Sequence, residues 1–185
     1  KLEGVGVGCP GLIDTEKGNV VYSNNLAWKN VPLIKTLKEE LNLPVYVTND
    51  ANAAALGEYH FGAGKKYKSL VMLTLGTGVG SGIVFNGKLF EGNLGAGVEL
   101  GHEVIRIGGE KCTCGRKGCL EAYASATALI RQAQKAMDGD KDSLLWKLTD
   151  GNKENVNGKV VFDALREGDK TAEKVVKKYT EYLAA

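Results

Sequence analysis

Three of the four cysteines, Cys112, Cys114 and Cys119, fall within eight residues, and His102 stands ten positions before the first of them. The spacing His102-x9-Cys112-x-Cys114-x4-Cys119 offers one imidazole and three thiolates. That is the four-ligand complement of a closed, structural zinc site with no position left open for chemistry. Gly115 and Gly118 let the chain turn tightly around an ion. The competing reading is a set of free surface thiols, which clustered in this way would be a chemical liability. Glu99 stands three residues before His102, and Glu121 two after Cys119. They are either rigid acceptors for a polyhydroxyl ligand or ordinary solvated side chains. A zinc-bound imidazole keeps its second nitrogen for such a ligand.

Two other stretches could carry chemistry. Residues 75–82 read Leu-Gly-Thr-Gly-Val-Gly-Ser-Gly, where glycines permit positive φ and successive N–H groups can cradle phosphate oxygens. The stretch lacks the Gly-Lys-Ser/Thr ending of a P-loop, and no helix follows it as the dinucleotide fingerprint requires. A glycine-rich hairpin is the alternative. Asp50 ends the run Val-Tyr-Val-Thr-Asn and precedes an alanine-rich helix. A carboxylate at the carboxyl end of a strand in an α/β sheet sits where ligands bind, and could act there as a general base. The commoner role for Asp at such a place is a plain N-cap, and the two roles are compatible.

The elements that would position these groups alternate between strand and helix, the pattern of an α/β fold. Residues 3–9 and 20–23 predict strands. Pro32 opens a helix with Leu33, Leu37 and Leu41 at helical spacing, residues 45–47 form a strand, and a helix capped at Asn49-Asp50 runs to Gly62. Residues 62–66 read as a linker, dividing a smaller domain (1–64) from a larger one (65–185). Strands at 69–75, 83–85 and 88–90 follow, the last two joined by the hairpin turn Asn86-Gly87. Residues 92–97 form a glycine loop. From Ser125 the pattern is helical, at 126–137, 144–148, 160–166 and 172–183, with a polar loop at 150–158. The 185 residues are 43% hydrophobic and 25% charged, with net charge +2. This is the composition of a soluble globular protein, and nothing in it favours nucleic acid or a membrane surface. No apolar run nears the roughly 20 residues of a membrane span. The clustered thiols suit a reducing, cytosolic compartment. The chain begins at Lys1 without a methionine, which reads as a trimmed start.

Five stretches together resemble the ROK family (repressors, open reading frames and sugar kinases), and within it the bacterial glucokinase branch. They are Gly8-Cys9-Pro10-Gly11, Asn49-Asp50-Ala51-Asn52-Ala53, residues 75–80, Glu99-Leu100-Gly101-His102, and residues 112–121 (Cys-Thr-Cys-Gly-Arg-Lys-Gly-Cys-Leu-Glu). The resemblance covers nearly the whole chain, and the last stretch is its most specific part. It implies an actin-like, hexokinase-type (ribonuclease H-like) α/β fold of two domains, here incomplete at both ends. It implies ATP-dependent phosphorylation of a hexose, glucose first, with Asp50 as general base. Asn25, Asn49, Glu99, His102 and Glu121 would hold the sugar, and Gly76, Thr77 and Gly78 the phosphates of ATP. Structural zinc would sit on His102, Cys112, Cys114 and Cys119, Mg2+ would accompany ATP, and the chain would form a homodimer. The family's first phosphate loop and its C-terminal adenosine-binding segment are absent, so these 185 residues alone are expected to turn over poorly. A kinase for fructose, mannose or N-acetylmannosamine, or a sugar-responsive repressor, are the alternatives.

Overall fold

The computed structural model describes residues 1–92 and 98–185. Most of the glycine loop expected at 92–97 lies outside the described residues. The chain divides into two compact units, Lys1–Thr74 with Gly80–Glu99, and Leu75–Val79 with Leu100–Ala185.

In the first unit, strands β1 (Val5–Cys9) and β5 (Val45–Asn49) pair in parallel, from Val5 opposite Val45 to Cys9 opposite Asn49. A parallel pair needs a crossover. Here it holds the antiparallel sheet β2 (Leu12–Asp14), β3 (Asn19–Ser23), β4 (Trp28–Val31) and helix α1 (Leu33–Leu41). The short strands β2 and β4 have no counterpart in the sequence reading, because no Asn-Gly hairpin turn marks them as one marks the equally short strand at 88–90. Cys9, Ile13, Val20, Val45 and Val47 form the buried core, with Leu33, Ile34 and Leu37 of α1 against it. The apolar stripe of α1 therefore runs through Ile34. Leu41, in the final turn, is 46% exposed.

Helix α2 (Asp50–Phe61) follows β5 directly and stops at Gly62. Strands β6 (Leu70–Leu75), β7 (Val79–Phe85) and β8 (Lys88–Phe90) form a three-stranded sheet in that order. The β7–β8 hairpin turns at Asn86 (φ 48°) and Gly87 (φ 80°). Two successive positive φ values are what the Asn-Gly pair supplies in a type I′ turn. Strand β7 begins four residues earlier than its apolar run suggested, so Gly80 and Gly82 lie within it. A Cβ on Gly82 would stand 2.5 Å from the Ala55 Cβ and 2.8 Å from the Ala51 carbonyl oxygen. Glycine on the strand facing alanine on the helix thus sets how closely β7 and α2 approach.

The second unit is helical after its cysteine-rich loop: α3 (Glu121–Ala124), α4 (Ala126–Gly139), α5 (Leu144–Leu148), α6 (Gly158–Arg166) and α7 (Lys170–Leu183). Four of these helices start at a side-chain cap, Ser125 for α4, Ser143 for α5, Asn157 for α6 and Asp169 for α7. Ala128, Leu129, Ala133, Met137, Leu145, Val161, Ala172 and Val176 are buried. The buried Tyr179 of α7 donates its hydroxyl to the Ala124 carbonyl at 2.9 Å. Among the described residues, no helix is long and apolar enough to cross a membrane.

Candidate functional site

The β1–β5 register brings Cys9 and Asn49 level at the carboxyl ends of the two strands, where ligands bind in open α/β sheets. Asn49, and not Asp50, caps α2. Its Oδ1 accepts from the Ala51 N–H (2.9 Å) and the Asn52 N–H (3.2 Å), while its Nδ2 donates to the Gly11 carbonyl at 3.2 Å. Gly11 has φ +112°, and a Cβ there would lie 2.2 Å from the Tyr22 carbonyl oxygen. Only glycine fits this turn. The Asn49 amide therefore ties the end of β5, the turn after β1 and the start of α2 together.

Asp50 is left as the first helical residue, exposed, with one oxygen 3.0 Å from the Ala51 N–H. It lines a small open cavity of about 50 Å3 with Asn49, Ser81, Glu91 and Glu99. At ~30 Å3 per water, this is room for one or two waters or a single hydroxymethyl group. Burial, and then the nearby Asp50 charge, push the Cys9 thiol above its usual range, so Cys9 stands beside the carboxylate as a neutral thiol. Glu91 and Ser81 were missed by sequence reasoning. Glu91 accepts from Thr48 Oγ1 at 3.4 Å, and the buried Ser81 donates to the Val98 carbonyl at 3.1 Å. Ser81 sat in plain view inside the glycine run, whereas Glu91, one residue past β8, carries no local signal. Asn25, by contrast, lies exposed in the turn between β3 and β4 and does not line this cavity.

In the second unit the glycine-loop residues 76–79 are held from three points. The Ala126 N–H donates to the Gly76 carbonyl (2.9 Å), Thr127 Oγ1 donates to the Thr77 carbonyl (2.9 Å), and the Val79 N–H donates to Glu121 Oε2 (3.1 Å). A Cβ on Gly78 would collide with that same carboxylate oxygen at 2.3 Å. The loop lies at the start of α4, where the partial positive charge of a helix N-terminus favours anions. Glu121 Oε1 in turn accepts from Thr113 Oγ1 at 2.7 Å and faces the Cys112 thiol at 3.6 Å. One carboxylate thus joins the glycine loop to the cysteine loop.

His102, Cys112, Cys114 and Cys119 present ligand atoms that all lie within 4.8 Å of one another. Zinc–sulfur bonds of about 2.3 Å and a zinc–nitrogen bond of about 2.0 Å, at tetrahedral angles, set S···S at about 3.8 Å and S···N at about 3.5 Å. The structure has Cys114 Sγ 3.7 Å from Cys119 Sγ, and Cys112 Sγ 3.5 Å from His102 Nδ1. The residues fit a zinc ion, with Nδ1 as the histidine ligand atom and Nε2 left over. Without an ion, the Arg116 backbone N–H is the main influence holding Cys114 down to about 6, and burial drives Cys119 up to about 12. Metal binding would release the remaining protons. Bridges between Val104 and Cys119 and between Lys111 and Lys117 brace the loop.

Asn49, Asp50 and Glu99 thus share a cavity in the first unit. His102, Glu121, the three cysteines and residues 76–78 belong to the second.

The α/β fold is of the hexokinase type and the actin-like class, and it carries a strand-end carboxylate, a tied-down glycine loop and a His/Cys3 cluster. The ROK family model matches residues 1–185, and the chain belongs to that family. It is 45% identical over 181 residues to a glucokinase of Thermotoga maritima, covering 97% of this chain and 57% of the relative. It is 38% identical over 182 residues to a xylose repressor of Caldicellulosiruptor bescii, covering 97% and 45%. It superposes with a TM-score of 0.88 on a ROK family glucokinase from Streptomyces griseus solved with glucose and AMPPNP, at 38% identity over 98% of this chain and 59% of that one. The chain spans about half the length of these relatives, from 45% to 59%.

Proposed function

We propose that the protein is part of an ATP-dependent hexose kinase that converts glucose to glucose 6-phosphate. The observation that carries this reading is the position of Asp50. Asn49 takes over the capping of α2, so the Asp50 carboxylate stands exposed on a cavity sized for one hydroxymethyl group. There Asp50 would take the proton of the attacking hydroxyl as its oxygen bonds the γ-phosphorus and the bond to the bridging oxygen of ADP breaks. General-base assistance of this kind contributes about 10^2- to 10^4-fold. In the first unit Glu99 would accept from a sugar hydroxyl and the remaining N–H of Asn49 would donate to one; in the second, His102 Nε2 and Glu121 would serve as sugar-binding groups. Asn25, exposed in the β3–β4 turn and outside the cavity lining, belongs to this proposal through the family resemblance alone. The N–H groups of residues 76–78 would hold phosphate oxygens, and Mg2+ arriving with ATP supplies charge neutralisation.

Zinc on His102, Cys112, Cys114 and Cys119 would be structural, and metal analysis should find one ion per chain. Thiol ligation suits a reducing cytoplasm. The division into a smaller domain (1–64) and a larger one (65–185), and assembly as a homodimer, belong to the same proposal. Asp50→Asn in the full-length chain is expected to lower kcat by 10^2- to 10^4-fold, with glucose binding and zinc content retained. Turnover within tenfold of the parent would remove Asp50 as the base.

The similarity to a xylose repressor supports a second reading, a sugar-responsive regulator. Glucose-dependent ADP release by the full-length chain decides between the two, and the same assay with fructose, mannose and N-acetylmannosamine fixes the sugar.

A further inference from the structure

The second unit contains a cavity of about 580 Å3, a volume typical of small-molecule sites. Arg131 and Lys135 of α4, Lys174 and Lys178 of α7, and Arg106 of the loop ahead of the cysteine cluster line it. Glu110 is its one carboxylate, so five cations and one anion leave the wall at +4, although the whole chain carries only +2. Both helical pairs are spaced i,i+4, which stacks like charges on one helix face and disfavours each helix. Among the described residues none of the five forms an ion pair within 4.0 Å, although the Lys174 charge helps to hold the Asp140 and Glu173 carboxyls down, while other lysines find direct carboxylate partners, as Lys153 does with Asp138 and Lys170 with Glu173. Cations repelling one another around a concavity gain most from an anion placed among them.

The floor narrows what that anion is. Tyr123 and Tyr182 pack against each other with ring centroids 4.6 Å apart. The Tyr123 hydroxyl accepts from the Glu110 N–H at 2.7 Å, and the Lys178 ammonium lies 5.9 Å over the Tyr182 ring. The rings are occupied with each other and with protein, which leaves little face for stacking a nucleobase. Arg131 is anchored by a hydrogen bond to the Ala122 carbonyl. Cations from three separate segments spread around a cavity of this volume match a chain of charges better than a single one. Residues 76–78 form no part of the wall.

We propose that this cavity binds a linear oligophosphate, a ligand of two or more joined phosphoryl groups, separately from any nucleotide held by the glycine loop. The proposal stands apart from sugar phosphorylation: a full-length chain with no kinase activity that still bound oligophosphate here would leave it intact. The test is calorimetric titration of the full-length chain with tripolyphosphate, with orthophosphate and AMPPNP as separate arms. Tripolyphosphate is expected to bind at least tenfold more tightly than orthophosphate, to weaken steeply with added salt, and to bind equally in saturating AMPPNP. The double variant Lys135→Gln/Lys178→Gln should weaken it at least tenfold, with thermal melting and glucose-dependent turnover unchanged. Arg106→Gln, outside the helices, should weaken it also and serves if the double variant does not fold. No binding of tripolyphosphate, binding indifferent to both variants, or displacement by AMPPNP would each overturn the proposal.

Discussion

Glu121 is the point at which the glycine loop can be tested. Its Oε2 takes the Val79 N–H at 3.1 Å and its Oε1 the Thr113 hydroxyl at 2.7 Å. Glu121→Ala removes both acceptors at once. The Thr113 hydroxyl is exposed and turns to water at little cost, but the Val79 N–H lies in a part-buried setting and loses a charge-assisted bond. Such a bond contributes about 1.5–3 kcal/mol, so about 2 kcal/mol should disappear from the local stability of residues 76–79. At 1.4 kcal/mol per tenfold, that is a roughly 30-fold faster exchange of the Val79 amide proton. Zinc content should not change, because Glu121 is not a ligand. Glu121→Gln separates geometry from charge. Its amide oxygen can still accept from Val79 while its NH2 donates to Thr113 Oγ1, so most of the protection should return. Hydrogen exchange read by NMR on the full-length chain, beside a zinc assay, measures both quantities. Unchanged Val79 exchange in Glu121→Ala would refute the tie. Faster exchange accompanied by zinc loss would show that Glu121 acts through the cysteine loop instead.

Two further outcomes follow from contacts away from the metal. Gly82→Ala places a Cβ 2.5 Å from the Ala55 Cβ and 2.8 Å from the Ala51 carbonyl oxygen, so a loss of about 1–3 kcal/mol is expected from overpacking, read as a lower denaturant midpoint. Thr171 Oγ1 donates to Asp140 Oδ2 at 2.6 Å, the largest influence holding the Asp140 carboxyl below its usual range. A depressed carboxyl stabilises the fold above its unfolded pKa and loses that contribution as pH falls through the lower, folded value. The stability gap between the parent and Thr171→Val should therefore be full at pH 6 and shrink below about pH 4; a gap that stays constant or widens in acid contradicts the assignment.

What could be read from the residues alone depended on how local the signal was. The His102/Cys112/Cys114/Cys119 cluster was legible because the ligand spacing is itself the constraint, and the structure closes it to metal-binding distances. The hairpin at Asn86-Gly87 and the helices from Ala126 onward were legible for the same reason: turn chemistry and apolar periodicity act over a few residues. Helix α2 was anticipated, yet its cap could not be divided between Asn49 and Asp50 from sequence, since both residue types cap well. The outcome depends on Gly11, 38 residues away, whose carbonyl engages the Asn49 amide. Strand β7 was read too short, because Gly80 and Gly82 weaken strand propensity. Their reason for being there is the approach of α2, a tertiary fact. Glu91 reaches the cavity of Asp50 through the β7–β8 hairpin and left no mark in its own neighbourhood.

The double engagement of Asn49 also bears on how the protein would age. Deamidation would convert its side chain to a carboxylate. The oxygen that caps α2 would survive and hold the helix start at least as well, since a negative charge there favours the dipole. The Nδ2 donor to the Gly11 carbonyl would be gone, leaving two acceptors 3.2 Å apart in repulsion. An aged molecule would thus keep its helix and lose the latch that holds the β1 turn against it. Its circular dichroism would look intact while the position of Asp50 drifted, and a molecule could lose function without first losing its fold.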